Sequence, residues 1–171
     1  MIQIGQQAPG FEVPGAAGGR VDTHSLEEYT EHGWAVVVVF YPFDFHPSCT
    51  SQLCMLRDAD DLSMVENTVV LGISTDSAHS HRAFAEEHRI DFPLLSDSDG
   101  TVAEAYGVLV EEMEDHRRVP RSALFVVDPG QEVQYAWQSE SPDDAPDMAA
   151  VEKATNCHGS RCELPESKSY L

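Results

Sequence analysis

The sequence predicts an α/β fold in which a mixed β-sheet is flanked by helices. Two continuous runs of mostly β-branched residues, WAVVVVFY at 34–41 and TVVLGIST at 68–75, are typical of strands that are buried on both faces. Helical patterns follow both runs, so strands and helices alternate along the middle of the chain. This alternation is typical of an α/β sandwich around a central mixed sheet.

The segment before the first buried strand predicts a hairpin and a short helix. Residues 1–24 carry two glycine-rich turns between short apolar pieces, which predicts an N-terminal β-hairpin. Ser25 can act as the N-cap of a short helix that ends at Gly33. Pro42 then ends the first buried strand, because proline cannot donate to a strand ladder.

The later segments continue the alternation. Apolar residues at helical spacing predict one helix from Ser48 to about Glu66 and another over 77–89, with Ala83 and Phe84 facing the core. The prediction is completed by a short strand and turn at 91–97, a short helix that Gly107 ends, a β-hairpin over 119–137 that turns at Asp128-Pro129-Gly130, and a last helix from near Ala145.

Length and composition predict one domain with a tail. A chain of 171 residues with 42% apolar residues can bury one sizeable core, which we place at 1–156. Residues 157–171 are interpreted as a flexible polar C-terminal tail that holds a cysteine pair. We expect a cytoplasmic location, because the chain has neither a secretory signal pattern nor an apolar run near the roughly 20 residues of a membrane helix.

The net charge is strongly negative. Thirty acidic residues against ten basic ones give −20. Such a field repels nucleic acids and anionic membrane surfaces, so neither is expected as a partner. It also destabilises the compact state unless salt screens the carboxylates, and the screening length falls to about 3 Å at 1 M salt. We therefore expect a halophilic source; the alternative is an ordinary acidic protein.

Cys49 and Cys54 give the first indication of function. Four cysteines in a chain without a secretory signal indicate redox or metal chemistry rather than structural disulfides. Five residues of helix separate two side chains by about 7.5 Å of rise and about 140° of rotation, which disfavours a static disulfide. Cys49 also begins a helix at the carboxyl end of a strand, where the helix dipole favours the thiolate and a lowered pKa. We predict two thiols that react in turn; the alternative is that Cys49 is a small buried hydrophobe.

Several separated motifs resemble the peroxiredoxins. They are Pro42-x6-Cys49-Thr50, the strand VPRSALFVVD at 119–128, the pattern G-x-x-A-P-x-F at 5–11 and FPLLSD at 92–97. The phrase CTSQLCMLRD at 49–58 further resembles the subgroup named after bacterioferritin comigratory protein, also called the Q type. The resemblance implies a thioredoxin-like fold and a thiol-dependent peroxidase that acts on hydrogen peroxide or organic hydroperoxides and needs no metal or organic cofactor.

The resemblance also implies a role for each site residue. Cys49 would attack the peroxide and become a sulfenic acid, and Cys54 would condense with it to give an intramolecular disulfide. A thioredoxin-like or other dithiol reductant would restore both thiols. Arg121 would stabilise the thiolate and the charge on the leaving oxygen. The remaining implied roles belong to Pro42, which shapes the pocket, to the backbone N–H groups of Ser48 and Cys49, which hold the peroxide, and to Gln52, which orients Arg121.

One position departs from the family motif P-x-x-x-T/S-x-x-C. His46 stands where the family has a hydroxyl residue. A hydroxyl both donates and accepts, whereas an imidazole supplies a neutral donor or a cation. We expect His46 to replace the hydroxyl as a donor; the alternative is a loop histidine turned to solvent.

Two other functions are considered for the same residues. A thioredoxin-fold copper carrier would use Cys49, Cys54 and a histidine, but the five-residue spacing and the nearby Arg121 disfavour a cation site. A general disulfide oxidoreductase is the other alternative, and the sequence has no C-x-x-C. The sequence leaves open the preferred peroxide, the reductant, and the choice between monomer and homodimer.

The other histidines and the tail cysteines are assigned no site. His79, His81 and His88 do not share one face of a helix, so we expect them to be solvated rather than to bind a metal. The stretch CHGSRC at 157–162 is compatible with zinc, copper, an auxiliary dithiol or no function.

Overall fold

A seven-stranded sheet with helices on both faces organises the chain, and a separate two-stranded sheet lies beside it. The structure is a computed structural model that describes residues 1–59, 66–141 and 144–156. The described strands are β1 (Glu12–Ala17), β2 (Arg20–Ser25), β3 (Ala35–Phe40), β4 (Thr68–Ser74), β5 (Leu94–Ser96), β6 (Leu109–Met113), β7 (His116–Pro120), β8 (Ala123–Val127) and β9 (Val133–Gln138). The described helices are α1 (Leu26–Thr30), α2 (Pro47–Arg57), α3 (Ala78–His88), α4 (Thr101–Tyr106) and α5 (Met148–Thr155).

Strand β3 lies inside the large sheet, whose order is β2-β1-β5-β4-β3-β8-β9. β3 runs parallel to β4 and β4 runs parallel to β5, whereas the other neighbouring pairs are antiparallel. A parallel pair needs a crossover over one face of the sheet, and the segments that contain α2 and α3 supply the two crossovers. The predicted mixed sheet is confirmed.

Both faces of β3 are covered, which explains its continuous apolar run. One face packs under α1 and α4, and the other packs under α2, α3 and α5. A strand between two helical layers can be apolar at every position. The alternating side chains, all fully buried, are Val36, Val38 and Phe40 towards the first layer and Val37, Val39 and Tyr41 towards the second.

Both predicted hairpins are present, but the second begins at Ala123 rather than at Val119, because Val119 and Pro120 belong to β7. β1 and β2 are joined by Gly18 and Gly19, whose φ angles of 56° and 77° favour glycine. β8 and β9 turn at Asp128-Pro129-Gly130, and the Asp128 carboxylate accepts the backbone N–H of Glu132 at 2.9 Å. The turn-forming residues recognised in the sequence therefore form the turns that were expected of them.

The predicted helix from Ser48 to about Glu66 is too long. Helix α2 ends at Arg57, and Asp58 leaves the helical conformation with φ −87° and ψ 0°. The apolar spacing used for the prediction runs past this point, but residues 60–65 lie outside the described ranges. Helix α2 therefore begins two residues before Cys49 and ends three residues after Cys54.

Two other details of the predicted helices are wrong. Ala83 is exposed, because α3 turns Ala78, His81 and Phe84 towards the core at a spacing of three residues. The last helix begins at Met148 rather than near Ala145, because the Asp147 carboxylate accepts the backbone N–H groups of the first turn.

Within the described ranges, no helix is long and apolar enough to cross a bilayer. The predicted tail at 157–171 lies outside the described residues, together with its cysteine pair. The proposed domain limit at residue 156 therefore stays a prediction.

Candidate active site

The carboxyl end of β3 leads into α2 through a short loop. Strand β3 ends at Phe40 and α2 begins at Pro47. Proline suits the first position of a helix, because the N–H it lacks would have no partner there. His46 occupies the N-cap position with extended backbone, and its side chain makes no capping hydrogen bond. Cys49 therefore lies in the first turn of α2, as the sequence predicts.

Opposing influences act on the pKa of Cys49. The residue is only 2% exposed, and burial raises the pKa of its thiol because a desolvated thiolate is unfavourable. A backbone hydrogen bond from Phe43 and the Ser48 hydroxyl act in the opposite direction, and the charges of Asp44 and Asp76 raise the pKa further. Burial and the helix start therefore act on this thiol in opposite directions, and a lowered pKa of Cys49 stays a prediction.

A cavity of about 450 Å³ has Cys49 in its wall. Four other predicted site residues share this wall: Pro42, His46, Ser48 and Arg121. The cavity therefore combines a buried thiol, a guanidinium group and a substantial apolar surface. The lining residues that the sequence analysis did not single out are Phe43, Val110, Met113, Glu114, Ser122, Ser139, Glu140 and Ser141.

One wall of the cavity comes from a hairpin that the sequence analysis missed. Strands β6 and β7 pair antiparallel with Met113 opposite His116, so Glu114 and Asp115 form a two-residue turn. Glu114 has a φ of 53°, in the left-handed region where glycine or asparagine would be the usual signal. The hairpin is rich in charged residues, and only its tight turn between two short apolar pieces could have indicated it.

His46 lies between Ser48 and Glu114. Its Nδ1 is 2.9 Å from the Ser48 Oγ, and its Nε2 is 3.6 Å from the Glu114 Oε1. The ring is also close to the Phe43 ring, with centroids 6.3 Å apart. The His46 side chain is 39% exposed, yet both of its nitrogens face partners at the cavity wall. This arrangement favours a role inside the cavity over a histidine that only contacts solvent.

Comparison with known proteins identifies the family. The family model described as "AhpC/TSA family" matches residues 4–136. The chain belongs to this family. It is 40% identical over 111 residues to "Putative peroxiredoxin bcp" from Coxiella burnetii, and the match covers 65% of this chain and 70% of that protein. It is 38% identical over 107 residues to "Peroxiredoxin Bcp" from Bacillus subtilis, with 63% and 65% covered.

A solved structure supports the same assignment. Peroxidoxin BcpB from Mycobacterium tuberculosis has a TM-score of 0.74 and 32% identity, and the match covers 91% of this chain and 95% of that one. The chain is therefore a peroxiredoxin, an enzyme of the thiol peroxidase class, with the predicted thioredoxin-like fold. The alternatives of a copper carrier and a general disulfide oxidoreductase are not favoured.

Cys54 of this peroxiredoxin lies in the same uninterrupted helix as Cys49. Both thiols are free, and Cys54 is half-buried against the core under α2. It does not line the cavity that contains Cys49. In intact helix the two residues are about 7.5 Å apart along the axis and about 140° apart around it. A disulfide between them requires the helix to change.

Gln52 and Arg121 line two neighbouring cavities. Gln52 lines a smaller neighbouring cavity of about 210 Å³, whereas Arg121 lines the larger one. Its Nε2 is buried and has no hydrogen-bond partner among the residues that the structure describes. The implied role of Gln52 in orienting Arg121 stays a prediction.

A buried network beneath the loop was not predicted. His81, expected to be solvated, is fully buried, and its Nδ1 lies 2.8 Å from the Asp44 Oδ2. Its Nε2 lies 3.0 Å from the carbonyl oxygen of Leu95. The Asp44 carboxylate also accepts hydrogen bonds from the Tyr41 hydroxyl at 2.8 Å and from the Ser80 hydroxyl at 2.7 Å. The prediction of a solvated His81 is wrong, because α3 turns this residue inward onto Asp44.

The network fixes the loop that carries the site. Asp44 lies between Phe43 and His46 in the sequence, and its backbone N–H donates to the Asp76 carboxylate at 2.8 Å. Asp44 is therefore held in two ways: its side chain is bonded to α3, and its backbone is bonded to the segment after β4. The loop between β3 and α2 is positioned by these bonds rather than by its own turn chemistry.

Proposed function

We propose that this peroxiredoxin reduces organic hydroperoxides as well as hydrogen peroxide, with Cys49 as the peroxidatic thiol and Cys54 as the resolving thiol. The observation that carries the proposal is the buried Cys49 in the wall of a cavity that also contains Arg121 and apolar side chains. A cysteine that only fills space in the core does not need a guanidinium group in the same cavity, whereas a reactive thiolate is stabilised by one.

The proposed reaction begins with the Cys49 thiolate. The sulfur attacks the terminal oxygen of the peroxide, an S–O bond forms and the O–O bond breaks. Cys49 becomes a sulfenic acid, and the leaving oxygen takes up a proton to give water or an alcohol. Arg121 stabilises both the thiolate and the negative charge that develops on the leaving oxygen. Pro42 keeps part of the wall apolar, and the backbone N–H groups of Ser48 and Cys49 hold the peroxide.

The shape of the cavity supports organic hydroperoxides as substrates. Its volume of about 450 Å³ far exceeds the space of hydrogen peroxide, since a water molecule takes up only about 30 Å³ of liquid. The wall includes Phe43, Val110 and Met113, which can pack against an apolar chain. The peroxide group would then lie at Cys49 and the organic group against these three side chains.

The second half of the proposed cycle uses Cys54. Its thiol condenses with the Cys49 sulfenic acid, which releases water and forms an intramolecular disulfide. A thioredoxin-like or other dithiol attacks this disulfide by thiol–disulfide exchange and restores the two thiols. The proposed cycle needs no metal or organic cofactor.

Peroxide consumption by the fully reduced chain tests the proposal. We expect one equivalent of cumene hydroperoxide or hydrogen peroxide to be consumed per chain, with the loss of two hydrogen atoms and a disulfide mapped by mass spectrometry to Cys49 and Cys54. Peroxide consumption that leaves Cys49 unmodified would contradict the assignment. A disulfide from Cys49 to Cys157 or Cys162 would transfer the resolving role to the tail.

Disulfide formation is expected to unwind the start of α2. The rise of about 7.5 Å and the rotation of about 140° between the two cysteines cannot be bridged in intact helix. Amides of residues 48–57 should therefore exchange hydrogen faster in the oxidised protein than in the reduced one. Strands β3 and β8 serve as internal controls, because both are buried and neither carries a cysteine. Equal protection of α2 in the two redox states would overturn this mechanism.

We also propose a cytoplasmic, salt-adapted protein that is a monomer or a homodimer. The net charge of −20 supports salt adaptation, since repulsion among carboxylates weakens when salt screens it. The melting temperature should rise between low and molar potassium chloride. Size-exclusion chromatography in the same solutions gives the oligomeric state. A melting temperature that stays flat or falls would contradict the halophilic interpretation.

A further inference from the structure

The cavity that contains Cys49 becomes more exposed from the thiol outward, and its charged groups follow this order. Cys49 is 2% exposed and Arg121 is half-buried, whereas Glu114 and Glu140 are exposed. All four residues line the same cavity of about 450 Å³. The guanidinium group therefore lies deeper than the two carboxylates, which lie at the mouth of the cavity.

The carboxylate of Glu114 is held at the mouth by the β6–β7 hairpin. Glu114 begins the two-residue turn of this hairpin, and its Oε1 lies 3.6 Å from the Nε2 of His46. The ring of His116, on the other side of the turn, lies against the Phe43 ring, with centroids 4.5 Å apart. Two contacts therefore attach the tip of the hairpin to the loop that precedes α2.

The carboxylate of Glu140 belongs to a segment that hydrogen bonds hold in place. The backbone N–H of Ser139 donates to the carbonyl oxygen of Ser122 at 2.8 Å. The backbone N–H groups of Glu140 and Ser141 both donate to the Asp144 carboxylate, at 2.8 Å and 2.7 Å. The side chain of Glu140 therefore extends from a fixed backbone position beside the cavity.

The fixed charges of the cavity do not balance. Among the described residues, Arg121 is the one arginine or lysine in the lining. In the proposed reaction its charge is already assigned to the Cys49 thiolate and to the leaving oxygen. Arg118 of the same hairpin does not line the cavity, and it pairs with Glu104 at 3.1 Å and Glu111 at 3.5 Å. The mouth is therefore a region of negative potential.

An organic hydroperoxide in this cavity brings its organic group close to the mouth. In the proposed binding mode the peroxide group lies at Cys49 and the organic group lies against apolar side chains that include Met113. Met113 ends β6 and directly precedes Glu114, so a substituent that extends past Met113 reaches the carboxylates. A carboxylate on the substrate meets like charges there, in a partly enclosed space where their repulsion exceeds that in bulk water.

We propose that Glu114 and Glu140 make the enzyme selective for hydroperoxides whose organic group is uncharged or cationic, and that they disfavour hydroperoxides that place a carboxylate inside the cavity. This proposal rests on the proposed function, because it concerns the same cavity and the same reaction of Cys49. It adds the charge of the organic group to the substrate class. The net charge of −20 acts in the same direction at long range, so remote carboxylates need a control of their own.

Three hydroperoxides of similar shape test the selectivity: cumene hydroperoxide, its para-carboxylate and its para-trimethylammoniomethyl analogue. Rapid quench and mass spectrometry give the second-order rate of oxidation of the reduced protein at about pH 8, above the ordinary titration range of histidine. Each rate is divided by the rate with dithiothreitol, which removes differences in intrinsic reactivity. In about 0.1 M potassium chloride we expect the carboxylate to react about tenfold more slowly than cumene hydroperoxide, and the cation at least as fast.

Two matched double variants separate the mouth from the rest of the charge. Glu114→Gln with Glu140→Gln keeps the size of both side chains, and the ratio of the anionic rate to the neutral rate should rise to near one. Glu31→Gln with Glu66→Gln removes the same charge shortly before β3 and β4, at the opposite end of β3 from Cys49. Six residues of strand span about 20 Å, twice the screening length of about 10 Å in 0.1 M salt. This control should leave the ratio unchanged.

Two further measurements extend the test. Glu140→Lys adds a cation at an exposed position, so it should raise the ratio above that of the wild type even if the double variant at the mouth is unstable. In about 1 M potassium chloride the wild-type ratio should move towards one, because the screening length falls to about 3 Å.

Alkylation of Cys49 gives a readout that does not depend on peroxidase activity. Iodoacetanilide is neutral and its para-carboxylate is anionic, and each forms an S–C bond with Cys49 as the C–I bond breaks and iodide leaves. Site-resolved mass spectrometry gives the two rates, again divided by those with dithiothreitol. We expect the same preference for the neutral reagent, and its loss when Glu114 and Glu140 are both replaced by glutamine.

The outcomes distinguish the selectivity from the function on which it rests. Equal wild-type rates for the neutral and anionic members of both pairs would overturn the selectivity, even if Cys49 consumes every peroxide. A preference that survives in the folded Glu114→Gln and Glu140→Gln protein would also overturn it, because the discrimination would then have another source. Failure of all three hydroperoxides to oxidise Cys49 would reject the proposed function, and the alkylation rates would still decide whether the mouth selects by charge.

Discussion

Replacement of Cys49 by serine is expected to abolish peroxide turnover. A serine hydroxyl cannot form a sulfenic acid, so the first chemical step has no substitute in the cavity. Cys54 cannot take over, because it lies on another side of α2 and does not line the cavity of Arg121. The measurement is peroxide consumption with a dithiol reductant in excess, and the rate should fall to that of the reductant alone.

The matched control is Cys54→Ser, which removes a thiol from the same helix. This variant should still consume one equivalent of peroxide and retain Cys49 as a sulfenic acid, which a dimedone adduct would reveal by mass. It should lose the intramolecular disulfide and therefore its turnover with a protein dithiol. Thermal denaturation of both variants, together with Cys49→Ala, separates loss of chemistry from loss of fold. Wild-type turnover in a folded Cys49→Ser protein would refute the assignment of the peroxidatic thiol.

Local sequence patterns were sufficient for the central elements of the fold. The runs at 34–41 and 68–75 could be interpreted without tertiary information, because a strand buried on both faces is apolar at every position. Turn residues such as Asp128-Pro129-Gly130 act through their own backbone preferences and were equally visible. The β6–β7 hairpin gave no such signal, because its strands face solvent over most of their length and its turn lacks glycine.

The site was predictable only where its residues act through local geometry. The position of Cys49 at the helix start follows from the strand, the loop and Pro47, all of which are close in sequence. Its pKa could not be predicted in this way, because the burial that raises it comes from distant elements. Glu114 reaches His46 from 68 residues away along the chain, through a turn that the sequence did not indicate.

The same limit explains why His81 was placed in solvent. Its partner Asp44 is separated from it by 37 residues, and a lone histidine on a polar helix has no local pattern that indicates burial. The pair becomes visible only when α3 is packed on the sheet. His81 is therefore the residue for which the structure changes the prediction most.

Replacement of His81 by leucine is expected to destabilise the protein by about 3–5 kcal/mol, the usual effect of removing one partner from a buried ion pair. The substitution removes the His81 ring nitrogen from the Asp44 carboxylate, which is 2% exposed and keeps the Tyr41 and Ser80 hydroxyls as partners. It also leaves the Leu95 carbonyl without the donor that His81 supplies. Thermal or urea denaturation measures the effect, which corresponds to a fall of about 10 °C in melting temperature for a chain of this size.

His79→Leu is the control, since it makes the same substitution two residues earlier on the same helix at an exposed position. Its free energy of unfolding should change by no more than about 0.5 kcal/mol. An equal loss of stability in both variants would show that leucine on α3, and not the broken pair, is responsible.

A double-mutant cycle with Asp44→Asn identifies the cause. Both ring nitrogens of His81 face oxygen atoms, the Leu95 carbonyl at 3.0 Å through Nε2 and the Asp44 carboxylate at 2.8 Å through Nδ1. If the destabilisation by His81→Leu comes from leaving the Asp44 carboxylate buried without the histidine, the double variant should lose less stability than the sum of the two single variants.

Because Asp44 also positions the loop before Cys49, His81→Leu should slow the reaction with peroxide even at temperatures where the variant is folded. Additive losses of stability together with a wild-type peroxide rate would mean that the network neither acts as a pair nor positions the loop.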